Sequence, residues 1–288
     1  MRLRVGLVWA AAVLSACSPA AENAVTTTVP DTTTSSTRPP SDEICLSGDL
    51  PFSDDGFVAA LGDDAGDATA ISQIRWDPSA TCERITIMFG TESGAPATTL
   101  GPSSVSVISY AGIVRAVLPE EVMSSAIADT LLEGSLIASA FVVRDPDGIM
   151  SIDIHGVDEI PIQARAFTTT SPASLVIDVI RADTDAIPIG VTKSHTAVVV
   201  APTPGRSQYA LLVRAYVEPG LLAIRVQIIQ SDNPVVDRSI ALQGYSDTWQ
   251  SLSSLIETGP SGTAVLFVGT LDTNDRPFEG TSVPITME

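Results

Sequence analysis

The sequence predicts a mainly β protein, in which a β-domain carrying one short helix is followed by a β-sandwich. Three observations predict it. From residue 70 onward apolar and polar side chains alternate with period two, the pattern of strands buried on one face. Clusters of Asp, Pro and Gly interrupt these runs where tight turns are needed. A break near Asp183 to Lys193 then leaves two units of ordinary domain size, 71–182 and 194–288.

Residues 1–16 belong to neither unit. Arg2 and Arg4 form a positive n-region, Val5 to Leu14 an uncharged apolar stretch, and Leu14-Ser15-Ala16 leads into Cys17. This is the order of a secretory signal peptide, with an apolar core too short to span a bilayer. Cys17 directly after Leu14-Ser15-Ala16 resembles the bacterial lipobox, in which the thiol is acylated before cleavage. The alternative is an ordinary signal peptide with an incidental cysteine. The lipobox resemblance implies lipid attachment at Cys17, two or more palmitate-type chains being needed for stable anchoring. Residues 17–44 are rich in Thr, Ser, Pro and Ala, including Thr26-Thr27-Thr28 and Thr32-Thr33-Thr34. They lack the apolar surface that offsets ordering entropy, so a disordered stalk is expected.

If Cys17 carries lipid, Cys45 and Cys82 remain as a pair in an oxidising compartment, and a disulfide is expected between them. Two free buried thiols are the alternative. The lead-in, 45–70, is rich in Gly and Asp, with Asp54-Asp55-Gly56 and Asp63-Asp64-Ala65-Gly66-Asp67. Neither stretch has the ligand order of a calcium loop, so solvated turns are expected, with a helical turn over Phe57 to Leu61. The two histidines, His155 and His195, complete no zinc spacing with the cysteines. No metal site and no cofactor are assigned.

The strands follow in order. Ile85, Ile87 and Phe89 alternate with Thr86 and Met88, and Met150, Ile152 and Ile154 with Ser151, Asp153 and His155. In the second unit Leu211, Val213, Ala215 and Val217 alternate with Leu212, Arg214 and Tyr216, and Leu222 to Ile229 continue the pattern. Asp145-Pro146-Asp147-Gly148 suits a hairpin and Glu218-Pro219-Gly220 a type II turn. One helix is predicted from Pro119 to about Leu132, with Glu120 and Glu121 at its positive end and Gly134 past its close.

Charge narrows the function. Basic residues number 15 against 34 acidic, and Lys193 is the sole lysine. Nucleic-acid binding requires clustered cations, and none occur, so that class of partner is excluded. The same deficit removes an electrostatic grip on anionic lipid headgroups and leaves the lipid as the membrane anchor.

Two resemblances add to this reading. The first unit, through Ile71-Ser72-Gln73-Ile74-Arg75-Trp76, Glu83-Arg84-Ile85-Thr86-Ile87-Met88-Phe89-Gly90 and Leu175-Val176-Ile177-Asp178-Val179, resembles the AMIN-like domain of actinobacterial lipoproteins. The related AMIN domain binds peptidoglycan, and that role is what the resemblance implies here. The second unit is similar to the immunoglobulin-like domain of bacterial spore-germination proteins, through Pro202-Thr203-Pro204-Gly205, the runs 209–217 and 221–230, Trp249, and Gly262 to Asp272. This implies a sandwich and extracytoplasmic assembly.

Asp153 and His155 share a strand face, and Asp178 lies on another strand, but exposed strand polarity is expected rather than a catalytic pair. No nucleophile elbow, phosphate loop or dinucleotide fingerprint is present, so no catalytic residue is assigned. Arg75, Trp76 and Arg84 are the candidate ligand-binding residues, with core or rim packing the favoured alternative for Trp76, and Arg115, Arg144 and Arg165 are further cations whose convergence the sequence leaves open. The expected function is a non-enzymatic cell-envelope lipoprotein that binds peptidoglycan or scaffolds at the outer face of the membrane. A protein-interaction module of an envelope or export assembly is the alternative, and a hydrolase using Asp153 and His155 a remote one.

Overall fold

The structure, a computed structural model, describes Cys45 and residues 49–288. The expected signal peptide, Cys17 and the stalk lie outside the described residues. The first half holds β1 (Gly56–Leu61), β2 (Ala70–Pro78), β3 (Cys82–Gly90), β4 (Ser103–Ile108), β5 (Ile113–Val117), β6 (Ser124–Ser125), β7 (Asp129–Leu131), β8 (Ile137–Arg144), β9 (Met150–Gly156), β10 (Ile162–Thr169) and β11 (Ser174–Arg181). The second holds β12 (Thr192–Lys193), β13 (Ala197–Ala201), β14 (Gly205–Ser207), β15 (Leu211–Val217), β16 (Ala223–Gln230), β17 (Asn233–Ala241), β18 (Trp249–Ile256), β19 (Gly262–Leu271) and β20 (Pro277–Met287). The fold is mainly β, as the alternation predicts.

Three sheets form two sandwiches. Sheet A runs β10-β11-β3-β2-β6, and sheet C runs β14-β20-β19-β16-β17. Sheet B is shared by both halves in the order β1-β4-β5-β9-β8-β18-β15-β13-β12, with β7 also on β8. Period two explains the layering. Ile85, Ile87, Leu175 and Ile177 on sheet A face Val105, Val114, Val142 and Ile152 on sheet B, forming the first core. On the second half of sheet B, Val199, Val213, Ala215 and Leu252 face Val226, Leu266 and Val283 of sheet C.

The halves meet where β8 and β18 pair in parallel at Trp249↔Val143 and Gln250↔Arg144. On the face of sheet B opposite both cores, Ile113, Phe141 and Val143 pack on Val198, Val200, Tyr216 and Trp249. Phe141 lies 5.0 Å from Trp249 and 5.5 Å from Tyr216 between ring centroids, both tilted or edge-on contacts that rings favour.

The predicted helix over 119–132 does not form. The Val122 N–H donates to the Pro119 carbonyl at 3.0 Å, closing a single turn. Met123 then donates to Thr69 and Ala126 to Ile71, which leads into β6 alongside β2, and Asp129–Leu131 pairs with β8. The segment carries Ser124, Ser125, Ile127 and Thr130, poor helix formers. Filling the open backbone groups of β2 and β8 outweighs that weak preference. Phe57 to Leu61 is likewise strand β1 on β4, not a helical turn. The Asp145-Pro146-Asp147-Gly148 hairpin does form, joining β8 to β9 with Gly148 at φ 93°.

Lead-in residues pack on the outer face of sheet A. Cys45 and Cys82 form a disulfide with Cα atoms 6.0 Å apart, and both are buried. Ser53 exchanges two 2.9 Å backbone bonds with Ala164 of β10. The Asp-rich stretch is more than solvated turn, because the Asp67 carboxylate accepts the Thr98 and Thr99 N–H groups at 2.8 Å each. Gly62 has φ +87°, and a Cβ there would sit 2.0 Å from the Gly101 carbonyl oxygen, so the close approach requires glycine.

The disulfide spans 37 residues, for which loop-closure entropy gives about 4 kcal/mol of stabilisation. Replacing Cys45 and Cys82 together by Ser should lower the urea midpoint accordingly. An unchanged midpoint would show that the other lead-in contacts alone hold it down.

Candidate functional site

The cations singled out in the sequence divide into two groups. The first lies across the outer face of sheet A, where the strand register places Asp77, Arg84, Asp178 and Arg165 in one transverse row. Arg84 donates to both Asp178 oxygens at 2.6 and 2.9 Å, and Arg165 to Oδ2 at 3.0 Å. Asp178 is fully buried. Arg165 also bonds the Cys45 carbonyl and stacks 4.8 Å over Phe52, which fixes the lead-in. Cys45, Cys82 and Asp178 gather closely enough to suggest a metal cage. The cysteines are bonded to each other, however, and a disulfide offers no thiolate ligand.

Trp76 faces the opposite side of sheet A. Its Nε1 donates to Glu83 at 3.0 Å, and the buried Glu83 carboxylate also accepts the Ser135, Leu136 and Ile137 N–H groups and the Ser135 hydroxyl. Trp76 and Arg84 are thus committed to internal partners. Arg75 is exposed, with Asp77 beside it at 2.8 Å. The three residues are neighbours on β2 and β3 but present no joint surface.

Asp153 and His155 are buried, not exposed, because the second half of the chain covers their face of sheet B. Asp153 gives both oxygens to Arg115, at 2.8 and 2.6 Å. The Tyr216 hydroxyl is hydrogen-bonded to His155 Nε2, and burial raises the Tyr216 pKa well above its usual value, so the phenol keeps its proton and donates. His155 Nδ1 has no hydrogen-bond partner among the described residues. Burial, with Lys193 and Arg115 nearby, lowers the His155 pKa to about 3. An imidazole so weakly basic, with Asp153 bound elsewhere, makes no general-base pair.

The second group of cations lies at the seam, with Arg115 and Arg214 on one face of sheet B and Arg144 on the other. A trough on the first face is lined by Tyr110, Arg115, Arg214, Tyr216 and the Ser251 and Ser253 positions. A second pocket, toward sheet C, is lined by Arg144, Ile240, Leu242 and Tyr245, and the two border a common edge at Pro146, Ser251, Leu252 and Ser253. They enclose about 670 and 450 Å³, open to solvent. Register explains the arrangement, because Arg214↔Ser253 and Tyr216↔Ser251 are cross-strand pairs on one face, whereas Arg144 pairs with Gln250 on the other. Arg144 bonds Asp247 at 3.1 Å and lies 4.4 Å over the Tyr245 ring.

Among the described residues no carboxylate lines this trough. Asp153 neutralises Arg115, whereas Arg214 is exposed and has no acidic partner among the described residues. Beside the second pocket Asp145 turns its Oδ1 onto the Asp147 and Ile149 N–H groups. With Tyr110 47% exposed, the trough offers a guanidinium, two serine hydroxyls and an aromatic face. That set suits an anionic group attached to an apolar body. Sequence reasoning passed over Arg214 and Tyr110. Alternation did put Arg214 and Tyr216 on one face of β15, but only the seam turns that face into a trough wall.

His155 has a pH consequence. Its folded pKa lies below the ordinary 6.5, so the unfolded chain binds the extra proton between about 3 and 6.5. Its contribution is present in full above 6.5 and is lost as pH falls through that window. His155→Gln should flatten the fall of the denaturant midpoint between pH 6.5 and 5, and an unaltered slope would show that folded His155 protonates normally. No protein-family model matches this chain, and no curated protein matches it.

Proposed function

We propose that the protein is an exported, lipid-anchored, non-enzymatic envelope protein whose seam trough binds peptidoglycan at the outer face of the membrane. Three features support this reading. The n-region, apolar stretch and Cys17 have the order of a lipoprotein signal. Residues 71–182 resemble AMIN-like domains, whose relatives bind peptidoglycan. The third feature carries the most weight. In a chain with 34 acidic and 15 basic residues, one solvent-open trough is walled by Arg214, Tyr110 and serines, with no carboxylate among its described lining residues. Peptidoglycan supplies matching chemistry, since its stem peptides end in carboxylates and its sugar rings have apolar faces that stack on aromatic rings.

The anchor is tested by intact-mass analysis of protein extracted from membranes, which should find a chain beginning at acylated Cys17. A chain without acyl groups would refute it. Trough binding is tested by sedimentation with purified peptidoglycan. Arg214→Gln combined with Tyr110→Ala should weaken retention about tenfold, roughly 1.4 kcal/mol, and added salt should weaken the unmodified protein. Equal retention of both proteins would overturn the assignment of the trough.

A further inference from the structure

Strand β18 is incompletely paired. Along one side it pairs with β15 over its length, from Val217↔Gln250 to Leu211↔Ile256. On the other side β8 covers only Trp249 and Gln250. β8 stops at Arg144 because Asp145-Pro146 turns into the hairpin and Pro146 has no N–H to continue the ladder. Of the eight residues of β18, the six from Ser251 to Ile256 therefore have one side without a strand partner among the described residues.

The direction of the backbone groups follows from one contact. In an antiparallel ladder each residue points its N–H and C=O to the same side, and successive residues alternate. The Leu255 carbonyl accepts Arg238 Nη1 at 2.6 Å, so Leu255 faces away from β15. Ser253 has the same parity and is exposed, so its N–H and C=O point away from β15 just past the end of β8. Exposed strand edges of this kind are templates for further pairing. Arg238 caps a single carbonyl and is itself exposed, so it is readily displaced.

The flanks specify what would pair. Toward sheet C the edge is bordered by Ile240, Leu242 and Leu252 at the mouth of the second sandwich. On the opposite face lies the Arg214 side of the trough, and Arg238 stands at the far end. A strand laid here would send alternate side chains onto apolar and cationic ground.

We propose that the unpaired side of β18 binds an extended segment of a partner protein, with alternating apolar and acidic residues, which adds as a strand in the place β8 vacates. Main-chain bonds to Ser253 supply affinity, and the two flanks supply specificity. This does not rest on peptidoglycan as the ligand of the trough.

The test uses the mature full-length chain and a fluorescent hexapeptide that alternates valine and glutamate, followed by anisotropy. Saturable binding is expected. It should weaken about tenfold when the peptide is N-methylated at alternate positions, which removes strand bonds without touching the protein. Lysine in place of glutamate should abolish it, and Arg238→Gln should weaken it. Ser253→Pro, which removes the outward N–H and spares the β15 ladder, should also weaken it while near-ultraviolet circular dichroism stays native. Absence of saturable binding, or equal binding of the N-methylated peptide, would overturn the proposal. So would sedimentation showing that the chain dimerises through this edge, with dimers lost in Ser253→Pro. Peptidoglycan retention is measured separately with Arg214→Gln, so the two readings fail independently.

Discussion

Two pairs of residues, Trp249↔Val143 and Gln250↔Arg144, carry the continuity of sheet B from one half of the molecule to the other. So short a parallel ladder would not by itself fix the angle between two sandwiches. The aromatic cluster completes it, with Phe141 held between Trp249, Tyr216 and His155. Trp249 is in turn fixed by a 2.7 Å bond from Nε1 to Asp129 at the start of β7. Ring packing contributes dispersion and quadrupole terms beyond area burial, of about 0.5–1.5 kcal/mol per pair. The trough, the burial of Asp153 and the truncated pairing of β18 all follow from this one junction.

Electrostatics is distributed unevenly over a strongly acidic chain. Two buried carboxylates are matched by cations, Asp178 by two arginines and Asp153 by one, while buried Glu83 is held by N–H and hydroxyl donors. Burying an ion pair costs desolvation that its Coulomb attraction only roughly offsets, but leaving one member alone costs about 3–5 kcal/mol. These pairs therefore constrain register more than they stabilise. A one-residue slip of β11 against β3 would leave Asp178 facing the core without its arginines. The net negative charge is consequently carried at the surface, and the trough, with no carboxylate among its described lining residues, stands out against it.

Much of the strand content was legible because period-two alternation reports one-sided burial directly. The hairpin at Asp145 to Gly148 and the cysteine pair were legible for local reasons, turn chemistry and residue count. What the sequence hid was pairing between distant segments. Strands β8 and β18 are separated by more than a hundred positions, and no local pattern marks them as partners. That gap explains the main errors. Asp153 and His155 read as exposed because the residues that cover them come from the other half. Residues 119–132 read as a helix because the open edges that capture them are not local. Trp76 reads also as core or rim packing, and the structure packs it against the first core, but Glu83 and Asp178, which engage Trp76 and Arg84, look like ordinary strand polarity.

Continuity of sheet B also affects how any ligand is met. Two domains on a flexible linker must lose relative motion when something binds between them, and that loss subtracts from affinity. Here Arg115, Arg214, Tyr216, Ser251 and Ser253 of the trough lie on strands of one hydrogen-bonded sheet, so that wall is preorganised. Little conformational entropy remains to be lost on docking. Differences among ligands should then reside in residence time rather than in encounter rate.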